Sequence, residues 1–538
     1  MDAKRLNELA DELFAKKQSL TSLHQEIAEN FYSERADFTV TRSLGQDFAS
    51  NLMSSYPLTC RRELGDQFST MLRPSARKWF HTRRKFQEKE DTEVKVYLQW
   101  FEETQRRAMY DPGSMFTRAT KEGDHDFAAF GQCALSVEMN KMANGLLYRC
   151  WHLRDMVWQE DEEGKIGFVA RKWKPTAMTL KRTFGDRVHE KVSKMADKTP
   201  FELVEVKHIV VSEDMYDDAS KGRPRWSIYY DTTNSHIIDA TPIYGRHYVI
   251  PRWQTVSGSQ YSYSPATVCA LPDARLIQAM TFTLLEAGEK ATNPPIVATQ
   301  NVIKSDAALY AGGITWVDEE YDERLGAALR PLEQDFRGFN YGLQMTQDTR
   351  GMLHRAFYLD SLTLPQRSPE MTAYEVGQRV QQYIRAALPI FEPMETEYNA
   401  ALCDESFELI WRAGGFGDPR SWPKALRGAE IEFAFESPLH DIIEEQKGQL
   451  FQNSQALIAQ AVAMDPASGA VPKTEVMLRD ALHGIGVPAT WLNSEAHVDQ
   501  QKAQMQANLA QQQKLAAIEQ ASNAVKNLGG APLAAPVA

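Results

Sequence analysis

The stretch 272-PDARLIQAMTFTLLEAGEKATNPP-295 carries the clearest structural signal in this chain of 538 residues. Its large apolar side chains recur at the spacing of a helix face: Leu276, Ile277, Met280, Leu284 and Leu285. Proline is favoured at the first position of a helix and just beyond its end. Pro272 and Pro294 therefore predict a helix over residues 273–292, about 30 Å long.

A second helix of similar length is predicted over residues 339–359, so two matched helices enclose a small insert. The insert contains strand-like runs at 295–300 and 314–317. After the second helix, Pro365 and Pro369 interrupt the helical pattern, and this break predicts a loop between two helices.

The residues on either side of this region predict an α+β fold that is mostly helical. Before it, helices are expected over 4–32, 46–57, 64–74 and 92–109. Strands are expected over 147–151, 155–159, 164–173, 201–211, 226–230 and 248–253, with the turn 160–164 as a hairpin tip.

The C-terminal part also reads as mainly helical. Thr372 and Glu375 have the spacing of a capping box, which opens a long helix that reaches Trp411 and is kinked at Pro389 and Pro393. A strand is expected over 429–436 and helices over 439–464 and 473–483. Residues 501–538 contain seven Gln and eleven Ala, which predicts a helix that frays into a partly disordered tail.

Composition excludes several classes of protein. A net charge of −12 argues against a protein that grips nucleic acid over its whole surface. The five cysteines lie far apart without a C-x-x-C pair, so neither a disulfide framework nor a thiolate zinc site is predicted. The apolar runs are shorter than the roughly 18 residues that span a bilayer, and the N-terminus is charged. We therefore expect no membrane partner and synthesis in the cytoplasm.

The sequence contains none of the usual nucleotide-binding, acyl-transfer or zincin motifs. Asp124-His125-Asp126 is the best metal-like cluster, and we expect it to be a solvated helix segment rather than a metal site. The basic and aromatic stretch 73–86 suits nucleic acid, a subunit contact or an exposed helix end equally well. A metal-dependent nuclease that uses Asp124, His125 and Asp126 remains the enzymatic alternative.

Several short stretches, taken in order, resemble the head-to-tail connector, or portal, proteins of short-tailed double-stranded DNA phages (podoviruses). They are HQEIAE (24–29) with Phe38, MLRPSARKWF (71–80), FAAFG (127–131), the hairpin 154–173 with PTA (175–177), YVIPRW (248–253), G-x-x-Y-x-x-S-P (258–265) with ALPD (270–273), MTA-x-EV (371–376) and ESPL (436–439). The resemblance covers residues 20–480. Ser259, Ser262 and His440 depart from the family's usual residues.

The resemblance implies a ring of about twelve subunits with a central channel. The implied segments are a wing (1–270), stem helices (271–293 and 339–360), a clip (294–338), a tunnel loop (361–370), a long kinked helix that returns to the wing (371–430), a crown (431–500) and the tail (501–538). Twelve helices packed at roughly 10 Å spacing form a circle about 38 Å across, with a bore of about 28 Å. A DNA duplex would pass through such a bore.

The resemblance also implies candidate residues and partners. Sparse basic residues are expected to guide DNA through the channel: Lys290, Arg350, Arg355 and Arg367. The expected constriction is the tunnel loop: Leu362, Thr363, Leu364, Pro365 and Gln366. The expected partners are double-stranded DNA, the terminase large subunit, a tail adaptor, the major capsid and scaffolding proteins, and internal core proteins.

We expect no cofactor and no catalytic activity, and we place the protein at the head-tail junction of a virion. A tail or capsid protein without a DNA channel is the structural alternative.

Overall fold

A computed structural model of the chain gives the arrangement of the described residues. It describes residues 1–538 except 44, 46–47, 50–51, 76, 87–91, 217–221, 299–302, 304–315, 319–321, 323, 325–326, 328, 333–336, 363–391, 436–450, 453, 466–470, 472, 485–486, 488–490, 492, 494 and 529–538. The chain divides into two compact units. Unit 1 contains Met1–Ser75 and Met109–Leu409, and unit 2 contains Ala76–Ala108 and Ile410–Ala538.

Helices and strands both occur, as the sequence predicts, and helices predominate among the described residues. The helices are α1 (Ala3–Lys16), α2 (Gln18–Phe31), α3 (Tyr56–Leu72), α4 (Thr92–Met109), α5 (Phe116–Phe130), α6 (Ala177–Phe184), α7 (Glu190–Lys198), α8 (Pro265–Thr292), α9 (Arg337–Ala356), α10 (Leu359–Leu362), α11 (Ala400–Arg412), α12 (Ser454–Met464), α13 (Thr474–Gly484) and α14 (Glu495–Leu528). A π-helical turn, Glu395–Asn399, leads directly into α11.

The strands form several antiparallel sheets. They are β1 (Phe80–Arg84), β2 (Leu135–Met139), β3 (Leu146–Cys150), β4 (Met156–Glu160), β5 (Ile166–Trp173), β6 (Val206–Ser212), β7 (Arg225–Asp231), β8 (His236–Ile243), β9 (Tyr248–Val249), β10 (Gln254–Thr255), β11 (Ser262–Tyr263), β12 (Ile296–Ala298), β13 (Leu329–Pro331) and β14 (Ile431–Phe435). In unit 1, β4 to β8 form a five-stranded sheet in sequence order, and β3-β2-β9 form a three-stranded sheet.

The five-stranded sheet is covered by helices on both faces. Successive strand residues point to opposite faces, so Ile209 and Val211 of β6 lie on one face and Val206 lies on the other. The first face packs against Leu6 and other apolar residues of α1. The second packs against α6 and α7 through a cluster that includes Leu180. Helix α1 and the two helices between β5 and β6, α6 and α7, thus stabilise opposite faces of the same sheet.

The predicted single helix over residues 4–32 is instead two helices, and the break falls at Lys17. The Lys17 ammonium is buried and donates hydrogen bonds of 2.8 Å to the carbonyls of Leu153 and Met156. It also lies 5.0 Å from the Trp158 ring centroid. Burial lowers the pKa of Lys17 to about 7, and Asp155 acts in the opposite direction. The amphipathic pattern predicted the helical residues, but this tertiary contact determines where the helix breaks.

Helix α8 begins at Pro265, eight residues before the predicted start at residue 273. Ser264 is its N-cap, and the Ser264 hydroxyl accepts a hydrogen bond from the Thr267 N–H. The helix runs through Pro272, although proline removes one backbone hydrogen bond from a helix interior. The prediction was wrong because it assigned the helix-starting role to Pro272, whereas Pro265 occupies the first position.

The end of α5 fixes the position of the start of α8, because the backbone of Gly131 lies close to that of Tyr263. Gly131 has φ +70°, and its carbonyl accepts hydrogen bonds from the Ser262 hydroxyl and the Trp253 N–H. A Cβ at this position would lie 2.1 Å from the carbonyl carbon of Tyr263. The hydroxyls of Ser264 and Thr267 bind the carbonyls of the last turn of α5. The glycine is therefore required both by its backbone conformation and by the space around it.

We predict that Gly131→Ala lowers the free energy of unfolding by about 3 kcal/mol or more, because left-handed strain adds to a collision with backbone atoms. Gly164→Ala is the matched control, since Gly164 has φ +74° and nothing within 4 Å of an added Cβ. It should cost only about 1 kcal/mol. Urea unfolding of both variants measures the difference, and equal losses would contradict the role of the close approach.

Unit 2 brings two distant parts of the chain together. Strand β1 pairs antiparallel with β14, and Phe80 lies opposite Phe435. Helix α4 supplies Phe101, which contacts Phe416 and Trp422 at ring-centroid distances of 5.0 and 4.9 Å. The predicted strand over 429–436 and the predicted helix over 92–109 are both confirmed. Their association could not be predicted, because more than half of the chain separates them.

Several elements were not predicted from the sequence, and one predicted helix is absent from the described residues. Strands β1, β2 and β8 and helices α6 and α7 were not predicted. A helix over 46–57 is wrong for the described residues, where helix begins only at Tyr56. The capping box at Thr372 and Glu375 and the expected kink at Pro389 lie outside the described residues. The wing, stem, clip and crown boundaries stay predictions.

Candidate functional site

The two matched helices predicted from the sequence, α8 and α9, pack against each other in unit 1. They approach closely at Gly342, where an added Cβ would lie 2.9 Å from the Leu284 Cδ2 atom. Thr346, Thr349 and Leu353 form the buried face of α9. Because the helices meet through small and branched side chains, they form a tight pair.

Large apolar side chains lie exposed on both helices of the pair. Tyr341, Met345 and Met352 are spaced four and seven residues apart, so they form one stripe along α9, which we call the α9 stripe. Tyr341 is 68% exposed. On α8, Phe282 and Leu285 are each 54% exposed. An apolar surface of this kind marks a contact site.

Helix α8 is also the one helix among the described residues that is long and apolar enough to cross a membrane by length and composition. Its most apolar stretch of 18 residues has a mean hydropathy of 1.2 and is 22% buried. This length was not predicted, because a helix that starts at residue 273 leaves out the apolar turn that contains Val268. The packing of α8 on α9 gives part of this apolar surface a protein partner.

The structure places three of the four predicted basic residues on this helix pair. Lys290 lies in the last turn of α8 and forms an ion pair of 2.9 Å with Glu286. Arg350 and Arg355 are both exposed on α9. The Arg350 guanidinium lies 5.5 Å from the Tyr56 ring centroid. Arg367 lies outside the described residues.

The two arginines of α9 lie on different faces of the helix. A separation of five residues corresponds to a rotation of about 140°. Arg355 lies beside the α9 stripe, whereas Arg350 lies on the opposite flank. A single surface running along α9 therefore cannot present both side chains.

Of the predicted tunnel loop 361–370, the structure describes only Ser361 and Leu362, and both lie in a helix rather than in a loop. Leu362 is the last residue of the short helix α10. Thr363, Leu364, Pro365 and Gln366 lie outside the described residues. These residues stay predictions.

A buried ion pair anchors the chain where it returns after the undescribed segment 363–391. Arg73, just after α3, pairs with Asp124 of α5, and both side chains are almost fully buried. Arg73 also donates a hydrogen bond of 2.7 Å to the Asn399 amide oxygen, and its guanidinium lies 4.4 Å from the Tyr398 ring centroid. Burial raises the pKa of Asp124, and Arg73 opposes this rise. We call Arg73, Asp124, Tyr398 and Asn399 the buried anchor.

The π-helical turn that contains Tyr398 and Asn399 has further polar contacts. Glu397 accepts hydrogen bonds from the Arg252 backbone N–H at 3.0 Å and from the Arg252 guanidinium at 3.1 and 3.2 Å. Pro393 precedes the turn and lies in helical backbone, and a sharp bend in a helix is typically found at proline or at a π-helical turn. The predicted irregularity near Pro393 thus takes the form of a π-helical turn.

The expectation that Asp124-His125-Asp126 is a solvated helix segment was half wrong. The three residues are helical, but the Asp124 and Asp126 side chains are buried. Asp126 accepts two hydrogen bonds from Arg35, at 3.1 and 2.8 Å. His125 contacts Arg61 through Nδ1 at 3.0 Å, and burial, followed by Arg61, lowers its pKa to about 4.

The arginine partners remove the basis of the nuclease alternative. Both carboxylates of this cluster bind guanidinium groups, so neither is oriented to share a cation with the other. Within the residues that the structure describes, no group of three or more His, Cys, Asp or Glu side chains has an arrangement that would hold a metal ion.

Part of the basic stretch 73–86 has structural contacts within the chain. Arg73 is part of the buried anchor in unit 1. In unit 2, Trp79 is buried, and Arg83 and Lys85 form ion pairs with Glu432 and Glu430 at 3.0 and 2.9 Å. These contacts involve three of the six Lys and Arg residues that suggested a binding surface.

Comparison with known proteins assigns the family. Residues 3–492 match the family described as bacteriophage head to tail connecting protein. The chain belongs to this family. The resemblance inferred from the sequence is confirmed, and the protein is a phage head-to-tail connector of the portal type. The family is a structural one.

Two curated relatives carry the name portal protein. The chain is 24% identical over 441 residues to the probable portal protein of Bordetella phage BPP-1. The aligned residues cover 80% of this chain and 77% of that protein. It is 23% identical over 289 residues to the portal protein of Salmonella phage epsilon15. These aligned residues cover 51% of this chain and 50% of the relative.

Among solved structures, the chain matches particles of a gene transfer agent (GTA). The match to the virion of the native GTA particle has a TM-score of 0.35 and 10% identity, and covers 80% of this chain and 95% of that chain. The match to the neck of the empty GTA particle has a TM-score of 0.33, with the same identity and coverage. TM-scores at this level do not establish a shared fold.

Tyr398 and Asn399 of the buried anchor were not predicted from the sequence, and Arg73 and Asp124 were considered for other roles. Tyr398 and Asn399 lie 274 and more positions from Asp124 in the chain, and no local motif connects them. A partial signal existed, because Arg73 and the stretch 127–131 lie within the family-like segments. Only the packing of α5 reveals that Arg73 and Asp124 meet.

We predict that Asp124→Leu lowers the free energy of unfolding by about 3–5 kcal/mol, because it leaves the Arg73 charge buried without a carboxylate partner. The double variant Arg73→Met, Asp124→Leu should recover much of this loss, since no buried charge remains. Glu190→Gln, which breaks the exposed pair with Lys194, is the control and should cost less than about 1 kcal/mol. Urea unfolding of these three variants and of the single variant Arg73→Met gives four values. A double variant as unstable as the sum of its two singles would refute the ion-pair explanation.

Proposed function

We propose that this connector assembles into a ring of about twelve subunits in which α8 and α9 wall a channel for double-stranded DNA. The observation that carries the proposal is the α9 stripe together with the exposed apolar side chains of α8. Within the described part of a single chain these side chains face no protein partner that buries them. Neighbouring subunits in a ring would cover them, which the apolar character of α8 also favours.

We expect charge substitutions in the α9 stripe to weaken the ring. Tyr341→Glu with Met352→Glu would place two carboxylates in a desolvated subunit contact, which is unfavourable for both charges. Gln347→Glu is the control, because Gln347 is exposed on the same helix but on another face. Mass photometry should show a large loss of ring-sized particles for the double variant and little loss for the control. Circular dichroism must show that all variants are folded.

Two results would count against the α9 stripe as a subunit contact. One is a double variant that forms rings as well as the wild-type protein does. The other is a control that loses the ring to the same extent, which would indicate a general charge effect. An end-on cryo-EM class average then decides between a ring with a duplex-wide channel and a connector without one.

The charges of the helix pair suit a surface along which DNA slides. Each DNA phosphate that a protein neutralises releases counterions and so strengthens binding. A channel through which DNA must move should therefore present few unpaired cations. The Lys290 ammonium is already paired with Glu286. Arg350 lies against Tyr56, so we assign the guiding role on α9 to Arg355. Arg367 and the loop Leu362–Gln366 would form a constriction that hinders DNA from slipping back.

The remaining partners follow from the proposed position at the head-tail junction of the virion. No nucleotide-binding motif is present in the sequence, so the energy for packaging would come from a terminase that docks on the clip. A tail adaptor would replace the terminase later. Capsid and scaffolding proteins would contact the wing, and internal core proteins the crown. The protein itself would work without catalysis, cofactor or membrane.

We predict that virions carrying Arg367→Ala retain less genome than wild type, because a guide point at the constriction is lost. Arg355→Ala should slow packaging or ejection without preventing ring formation. Arg350→Ala is the matched comparison on the same helix and should behave like wild type. Genome content measured by quantitative PCR of purified particles reports the outcome. Full, stable genomes in Arg367→Ala particles would remove this residue from the proposal.

A further inference from the structure

A cavity of about 240 Å³ opens in unit 1 beside the π-helical turn. Residues from the β4–β5 hairpin, from β7, from the chain around β9 and from the π-helical turn form its walls. Four basic residues line it: Lys165, Arg225, Arg246 and Arg252. Glu397 is the acidic residue of the lining. The cavity is thus strongly basic in a chain whose net charge is −12.

Two of the four cations are neutralised by carboxylates. Arg252 forms ion pairs with Glu160 and Glu397. The Lys165 ammonium lies 2.5 Å from a carboxylate oxygen of Glu163. Direct ion pairs therefore offset the charges of these two side chains.

The other two cations, Arg225 and Arg246, form no ion pair within the described residues. The Arg225 guanidinium donates to the Ile166 carbonyl at 3.2 Å. Burial lowers the pKa of Arg225, and the neighbouring Arg246 charge lowers it further. Three carboxylates attract these guanidinium groups without contacting them: Glu405 attracts both, Asp161 attracts Arg225 and Asp404 attracts Arg246. The Glu405 oxygens instead accept hydrogen bonds from the backbone N–H groups of Arg246 and His247, at 2.6 and 3.1 Å.

Two guanidinium groups that line one cavity without a directly paired carboxylate favour an oxyanion as ligand. A guanidinium presents a planar fork of N–H donors that matches the oxygens of a phosphate or a carboxylate. An oxyanion between the two forks would remove their mutual repulsion and satisfy donors that the chain leaves unused. A volume of about 240 Å³ accommodates such a group together with water.

We propose that this cavity is an oxyanion site in which Arg225 and Arg246 together bind a phosphate or a carboxylate group. The oxyanion has two possible sources, namely free inorganic phosphate or an acidic side chain of a second copy of this chain. The proposal stands on the geometry of unit 1 and does not depend on the ring or on DNA.

The test is calorimetric titration of the full-length protein with inorganic phosphate, at constant ionic strength in chloride buffer. We expect saturable binding of one phosphate per subunit, and affinity at least about tenfold weaker for Arg246→Gln. Because the Arg246 side chain makes no hydrogen bond within the described residues, this variant should fold normally. Arg182→Gln, which removes an exposed arginine of α6, is the control and should bind like wild type. Arg225→Gln is a second variant with the same expected loss.

Titrating rings and dissociated subunits separately distinguishes the two sources. Binding to both forms identifies free phosphate as the ligand. A carboxylate of the second copy is identified by two results together. Phosphate then binds to dissociated subunits but not to rings, and rings of Arg246→Gln dissociate at lower salt than wild-type rings. The proposal is overturned if neither form binds phosphate saturably, or if Arg246→Gln binds as tightly as wild type. If the protein forms no ring, the titration of the subunit still decides the question.

Discussion

The buried ion pair between Arg73 and Asp124 is the interaction on which the arrangement of unit 1 depends. A charge that is almost fully buried must have its partner in place, or the fold loses several kcal/mol. This requirement brings α3, α5 and the π-helical turn to one point, because Asn399 also accepts a hydrogen bond from Arg73. Helix α5 then positions the start of α8, since Ser264 binds a carbonyl in its last turn.

The contacts of α5 with the start of α8 explain how a chain can hold two long helices with exposed apolar surface. The helices are attached to the rest of unit 1 at their inner ends, where α8 meets α5 and where Phe31 contacts Phe357 just beyond α9. Their exposed side chains therefore need not contribute to the folding of the single chain. In a connector that works as an assembly, such surface is available for contacts between copies. The same surface makes α8 resemble a membrane span in composition.

The structure also shows why residue types that suggest chemistry need not perform any. Asp124 and Asp126 have the composition of a metal site, yet each carboxylate is occupied by an arginine that lies far away in the sequence. The basic stretch 73–86 supplies Arg73 to the buried anchor of unit 1 and Arg83 to a strand pair of unit 2. Arg225 and Arg246 are different, because no carboxylate pairs with them among the described residues.

Local patterns in the sequence were sufficient for much of the secondary structure. The helical period predicted α4 and α9 to within a few residues, and β-branched runs predicted β5 and β7, because these signals depend only on neighbours along the chain. The order of the family-like stretches was sufficient to identify the connector family. The position of a helix end was predicted less well, as Pro265 and Pro272 offered equivalent local signals for the start of α8.

What the sequence alone determined was the class of fold, most helices and the family, because periodicity and the order of motifs are local properties. Tertiary structure alone decided that Arg73 meets Asp124 and that β1 pairs with β14. It also decided that Arg225 and Arg246 share a cavity. These facts depend on contacts between residues far apart in the chain, and burial and charge pairing select such contacts only when the whole unit is folded.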